Sequence, residues 1–147
     1  MRYKQGIFKP KHPEKYIGNV NNICYRSGWE RKCFKWLDES SKIIKWNSEE
    51  VVVKYVSKLD GRLHNYFVDL YFETKDKDGN IVKFLAEVKP HTQTVKPIEG
   101  KNKTTYLNAC MTYQRNMDKW KYCSEFAKSR NLKFVILTEK NTRGAFL

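Results

Sequence analysis

The chain has 147 residues, enough for one domain around a single apolar core. Its 29 Lys and Arg exceed its 16 Asp and Glu by 13, and such a surplus selects polyanions, nucleic acid first among them. No apolar run approaches the roughly 20 residues of a membrane-spanning helix, and no helix with one clean basic face stands out, so no membrane partner is expected.

The opening MRYKQGIFKPKHPEKY lacks the apolar centre of a secretory signal, which points to a cytosolic protein. Residues 1–22 are basic and polar, and Pro10 and Pro13 oppose regular structure, so they read as an extended N-terminal arm. Residues 23–147 then form the single folded domain. The four cysteines, at 24, 33, 110 and 123, include no C-x-x-C pair, so structural zinc is not expected. Disulfides are disfavoured in the cytosol. Cys33, Cys110 and Cys123 fall in helical stretches and read as small core residues.

RSGWERKCFKWLDES predicts a helix over about residues 28–38. Ser27 and Glu30 match the S-x-x-E capping box, and Cys33, Phe34 and Leu37 belong to the apolar side. SEEVVVKYVS (48–57) predicts a strand, LDGR (59–62) a turn, and LHNYFVDLYFET (63–74) a second strand. KDKDGN (75–80) is another turn, and IVKFLAEVK (81–89) a third strand, which together make an antiparallel meander. A polar loop over 90–103 precedes a long helix, N-capped by Thr104 or Thr105 and ending near Ser129. Its Tyr106, Cys110, Tyr113, Met117, Trp120 and Ala127 are expected to face the sheet. LKFVILTE (132–139) predicts a buried strand parallel to its neighbour. The fold class is α/β, in the order αβββαβ.

Charged groups interrupt this apolar pattern. Alternation along FLAEVKP puts Glu87 and Lys89 on the face of Leu85, with Ala86 and Val88 on the other. Asp69 sits inside YFVDLYF, where its charge needs compensation. A two-residue Asp78-Gly79 turn would put Asp69 on the face away from Glu87. A three-residue loop, Lys77-Asp78-Gly79, would put Asp69 opposite Glu87, with Gly79 at positive φ in a G1 bulge. The sequence leaves both open. Facing carboxylates suit a Mg²⁺ or Mn²⁺ ion completed by water and phosphate oxygens, and Lys89 beside them could hold a water or stabilise charge on a phosphate. Otherwise Glu87 and Lys89 are a solvated pair on a strand face.

VDL (68–70) followed by EVK (87–89) resembles the PD-(D/E)xK nuclease superfamily, with Val68 where a proline is usual. KYVSKLDGRLHNYFVDL, AEVKP and NMDKWKYCSEFAKSRNLKFVILTE together resemble its TnsA-type endonuclease branch. With YKQGIFKPKHPEKY and YRSGWERK, the chain is similar to the head completion nucleases of T4-like bacteriophages over nearly its whole length. The resemblance implies a restriction-endonuclease-like core, a mixed sheet flanked by helices. It implies Mg²⁺- or Mn²⁺-dependent cleavage of double-stranded DNA in the host cytoplasm, as heads are finished and joined to tails. Portal or neck proteins of the head vertex are then candidate partners, and a monomer is expected.

In that reading Asp69 and Glu87 bind metal, Lys89 serves the attacking water, and Glu30 completes the metal site. Glu30 shares a helix face with Cys33, Phe34 and Leu37, which favours an inward role over the capping contact that would compete for it. Gln114 and His64 are accessory candidates. His91 could approach DNA at the mouth of the site. Arg26, Arg31, Lys96, Lys101, Lys103 and Lys119 are candidate phosphate contacts, each with a solvated surface charge as its alternative. Two rivals remain: a non-catalytic basic protein that plugs the DNA-filled vertex, and an RNA-processing nuclease.

Overall fold

The structure, a computed structural model, describes residues 5–142. In chain order its elements are β1 (Gly6–Ile7), a 3-10 turn (Pro13–Lys15), β2 (Cys24–Tyr25), α1 (Gly28–Glu39), β3 (Ile43–Ser48), β4 (Val52–Val56), β5 (Leu63–Phe67), β6 (Leu70–Lys75), β7 (Ile81–Val88), a second 3-10 turn (His91–Gln93), α2 (Lys103–Ser129) and β8 (Lys133–Leu137). The main sheet runs β3-β6-β7-β8. Its first two pairings are antiparallel, and β8 lies parallel to β7 after the α2 crossover.

The αβββαβ order therefore holds, but its first two strands are not those expected. The first is β3, over a stretch whose sequence pattern predicts no strand. The expected strand 48–57 is instead β4, which among the described residues pairs with β5 alone, in a two-stranded ribbon inserted between β3 and β6. The expected strand 63–74 is two strands, broken at Val68 and Asp69, where the backbone bends. Before the bend, Tyr66 and Val68 join the apolar cluster that includes Cys123 and Ala127 of α2. After it, Leu70 and Phe72 join the cluster that includes Phe34 and Leu37 of α1. Burial keeps its period of two through the break, but the buried residues pass from one core cluster to the other because the chain changes sheets there. Val68 N–H still donates to Val51 C=O (2.9 Å), whereas Asp69 C=O already accepts from Glu49 N–H (3.2 Å).

The β6–β7 turn selects between the two loops. Asp76 N–H donates to Asn80 C=O (2.9 Å) and Gly79 N–H to Asp76 C=O (3.1 Å), with Lys75 opposite Ile81. This is the three-residue loop. Gly79 has φ +81°, a conformation that a Cβ would oppose.

The N-terminal arm, described from residue 5, lies against the domain. Phe8, Tyr16 and Ile23 are buried in the α1-side core. Trp46, fully buried on β3, is met by Tyr16 at 4.8 Å, Phe34 at 5.5 Å and Phe8 at 6.1 Å between ring centres. Buried Asp38, near the end of α1, accepts from the backbone N–H groups of Lys11 (2.8 Å) and His12 (2.9 Å). The prolines leave the segment only one short 3-10 turn, yet it folds onto the domain because its scattered apolar residues have a core to enter.

Asn102, not Thr104 or Thr105, caps α2, its side chain accepting from Thr105 N–H (3.1 Å). The buried residues of α2 begin at Asn116 and include Trp120, Cys123 and Ala127. Tyr106, Cys110, Tyr113 and Met117 are only partly covered, against expectation. The reason is length. The 27 residues of α2 span about 40 Å, whereas the five of β8 span about 17 Å, so the N-terminal half of the helix outruns the sheet. The four cysteines are free, and burial pushes the thiols of Cys33 and Cys123 up to about 12.

Candidate active site

The β6–β7 register, extended one step beyond Leu70 and Ala86, sets Asp69 opposite Glu87. The bend at Asp69 and the C-terminal end of β7 thus meet where β6 enters the main sheet. Asp69 Oδ2 accepts from Val88 N–H at 2.8 Å, which holds its carboxylate against the end of β7. Glu87 is 2% exposed; its Oε1 lies 3.4 Å from Lys89 Nζ, and its Oε2 is buried without a hydrogen-bond partner. Lys89 is anchored by its own N–H, which donates to Leu137 C=O at 3.0 Å and extends the β7–β8 ladder by one residue.

Burial is the first cause of the electrostatic character of the site. It raises the Glu87 carboxyl to about 7, against the lowering influence of Lys89 and Lys119. Burial likewise raises Asp69, opposed by the Val88 N–H and Lys89. Glu30 is raised by burial, then by the charges of Asp69 and Glu49. Glu30 therefore feels Asp69, and Glu87 feels Glu30, while Lys89 and Lys119 oppose the effect of burial only in part. The serine half of the capping box forms, with Glu30 N–H donating to Ser27 Oγ (3.1 Å). The Glu30 carboxylate instead feels the Arg26 backbone N–H and faces the Asp69 charge.

Hard oxygen donors, a buried unpaired carboxylate oxygen and mutual repulsion suit a hard divalent cation. Among the described residues no three acidic, His or Cys side chains converge into a ready cage. The arrangement fits an open site in which Asp69 and Glu87 supply two oxygen ligands and Glu30 stands close by. Water and phosphate oxygens would complete the shell.

The other candidates separate clearly. Lys119, proposed only as a phosphate contact, comes to the centre: its Nζ lies 5.1 Å from the Tyr66 ring centre, and burial lowers its pKa while Glu87 raises it. Arg26 pairs with Glu49. Arg31 lies over the Tyr25 ring at 5.9 Å. Lys96, Lys101 and Lys103 are exposed on the segment leading into α2. His91 is fixed through its backbone, its N–H donating to Glu139 at 3.0 and 3.2 Å. Gln114 donates to Asp118 Oδ1 (2.9 Å) along α2, a tie to the helix and not to the carboxylates. His64 sits on the β4–β5 ribbon, paired with Asp60 (2.8 Å) and stacked on Tyr55 (5.4 Å), which makes it a ribbon contact.

Glu49 was not anticipated. It lies between β3 and β4 with φ +57°, uncommon for a residue with a Cβ, and its charge reaches both Asp69 and Glu30. Its only sequence signal is the acidic pair in SEE between two apolar runs.

A family model described as "TnsA-like endonuclease N terminal" matches residues 40–139, a span holding Asp69, Glu87 and Lys89 but not Glu30. The head completion nuclease of Enterobacteria phage T4 is 38% identical over 143 residues, covering 94% of this chain and 93% of that protein. The mixed sheet, the α2 crossover and these two similarities agree: the chain belongs to the TnsA-like endonuclease family.

Proposed function

We propose that this nuclease hydrolyses DNA phosphodiesters with Mg²⁺ or Mn²⁺ and that it acts in the completion of phage heads. The observation that carries the chemistry is Glu87, 2% exposed with one carboxylate oxygen unpaired, beside Asp69 and Lys89. A plug protein with no catalysis gains nothing from burying such a group, whose charge is costly without a partner. The similarity to a head completion nuclease supports the biological setting.

Asp69 and Glu87 would hold the ion, with Glu30 near enough to adjust its shell. A divalent ion there would neutralise the carboxylates, polarise a phosphate oxygen and acidify a water molecule. The residues supply the rest. The Val88 N–H fixes the Asp69 carboxylate, and the β7–β8 ladder fixes the Lys89 backbone. The Lys89 ammonium, 3.4 Å from Glu87 Oε1, orients the attacking water and stabilises charge growing on the phosphate. Lys119 faces the same space from α2 and adds a second positive charge for the phosphate. The surplus of 13 positive charges draws the duplex in without regard to sequence.

Supercoiled plasmid and linear duplex, incubated with Mg²⁺, with Mn²⁺ and with EDTA, test the proposal. Cleavage should require the cation and vanish in EDTA. DNA left intact under every metal condition, with duplex binding retained, would favour the plug. Cleavage confined to RNA would favour an RNA-processing enzyme.

A further inference from the structure

The N-terminal half of α2 and the loop that follows Lys89 enclose a groove of about 580 Å³, outside the carboxylate site. That volume is ample for a nucleotide-sized ligand. Its walls mix two kinds of group. Tyr106, Tyr113, Pro97 and Ile98 offer flat or apolar surface, while Gln93 and Asn102 offer donors and acceptors. Ile98 is 91% exposed and Val95 46%, so apolar side chains stand at the rim with nothing over them. Exposed apolar surface of this kind marks a binding place.

The charge around it says what kind. Residues 90–117 carry Lys96, Lys101, Lys103 and Arg115 against Glu99 alone, a net charge of 4 − 1 = +3. A polyanion with a flat apolar part and a hydrogen-bonding edge meets all these conditions together. The groove is also tied to the carboxylate site by two short paths. Its loop begins at Pro90, directly after Lys89, and Gln93 is four residues on. On the other wall, Tyr113 precedes Lys119 by six residues, about 9 Å along the helix axis, roughly the rise of three stacked nucleotides.

We propose that this groove is a base-binding subsite for an unpaired nucleotide, a strand end or flap lying about three nucleotides from the cleaved phosphate. The reading rests on the nuclease function proposed above and narrows its substrate to DNA with a single-stranded element. Stacking on the two tyrosines would hold the base whatever its identity, with Gln93 and Asn102 meeting its edge. Ile98 at the rim would stand against the last base pair as an apolar wedge.

The test uses the full chain in EDTA, so that binding is read without cleavage. Two probes of equal length are compared: a fully paired duplex, and one ending in a three-nucleotide single strand that carries the fluorescent base 2-aminopurine. The parent should prefer the second about tenfold, a typical gain for one base stacked on an aromatic ring, with a fluorescence change on binding. Ala109→Phe, which fills the groove from an exposed helix position, should reduce the preference below about twofold without weakening binding of the paired duplex. Tyr113→Ala should do the same by removing a wall. Equal affinity of the parent for both probes overturns the subsite, as does a preference that survives both substitutions. Competition for the groove by polyglutamate as effective as by the oligonucleotide would assign it to an acidic peptide instead. Plasmid cleavage with Mg²⁺, run beside these measurements, keeps the two readings apart. Cleavage without the preference removes only the subsite, and the preference without cleavage removes only the nuclease mechanism.

Discussion

The β6–β7 hairpin carries an aspartate at each end, and the two are treated in opposite ways. At the turn, exposed Asp76 accepts two backbone N–H bonds through one oxygen, from Asp78 (2.9 Å) and Asn80 (2.8 Å). At the other end Asp69 accepts from Val88 N–H and lies opposite Glu87, whose second oxygen has no partner and no access to water. One ladder sets both positions. The first carboxylate satisfies its surroundings and shapes a turn. The second pair is left short of donors, which costs stability and keeps oxygen atoms available to something that arrives later.

The sharpest test of that contrast is catalytic. Lys89→Arg keeps the charge but replaces a compact ammonium with a broad planar fork. It should fold and bind duplex normally while cleaving on the order of 100-fold more slowly, as when one charge-stabilising donor is lost. Glu87→Ala should abolish cleavage and leave binding equal or tighter, read by gel shift on the same DNA. A Lys89→Arg protein that cuts within a few-fold of the parent would take Lys89 out of the mechanism.

The next effect is on stability without metal. The folded-state pKa of Glu87 is raised to about 7, so its protonated form is the one the fold favours. Its contribution is therefore fully present below the unfolded value near 4.5 and is lost as pH rises through about 7. In EDTA, urea unfolding should show stability falling across that window and levelling above it. Glu87→Gln should remove this part of the slope and be more stable than the parent at pH 8, by on the order of 2–3 kcal/mol. Adding Mg²⁺ or Mn²⁺ should narrow that gap by stabilising the parent alone. A glutamine variant less stable than the parent in EDTA at pH 8 would mean that the lysines already compensate the charge.

Smaller effects are expected at the turn. Gly79 has open space around its Cα, so Gly79→Ala meets only the backbone penalty of its φ of +81°, about 1–2 kcal/mol. Cleavage should persist, because the apolar pairs above the turn still hold the register. Loss of cleavage together with that penalty would show that the glycine alone was choosing the register. Asp76→Ala should shift the melting temperature by no more than about 4 °C and leave activity unchanged.

Much of the candidate site is legible in the sequence, for a simple reason. Asp69, Glu87 and Lys89 are charged residues in or beside apolar runs of the sequence, and a three-residue loop ending in glycine is one of few ways to bring the two acids together. The sequence could not choose between the two loops; the Asp76–Asn80 bond does. Other features left weaker marks. Strand β3 escapes the pattern because IIKWNS does not alternate: Trp46, Asn47 and Ser48 are buried in succession. The break at Asp69 leaves no mark in the sequence because Tyr66, Val68, Leu70 and Phe72 alternate without interruption through it and all are buried. Phe8, Tyr16 and Ile23 are isolated in the sequence, and only the folded domain brings them to one apolar core. The overhang of α2 follows from the lengths of two separate elements, which no local pattern reports.

The packing of Tyr16 also bears on the boundary of the main sheet. β3 is an edge strand, and an edge strand offers unpaired N–H and C=O groups to any other chain. Here Tyr16 forms a parallel bridge with Trp46, Ile17 N–H donates to Trp46 C=O at 2.9 Å, and Lys45 Nζ donates to Glu14 C=O at 3.0 Å. The N-terminal segment thus spends its own backbone on the open side of the sheet. A protein shortened by those residues would present Ile43, Ile44 and Trp46 along a bare hydrogen-bonding border, and its first failure would be sticking to copies of itself.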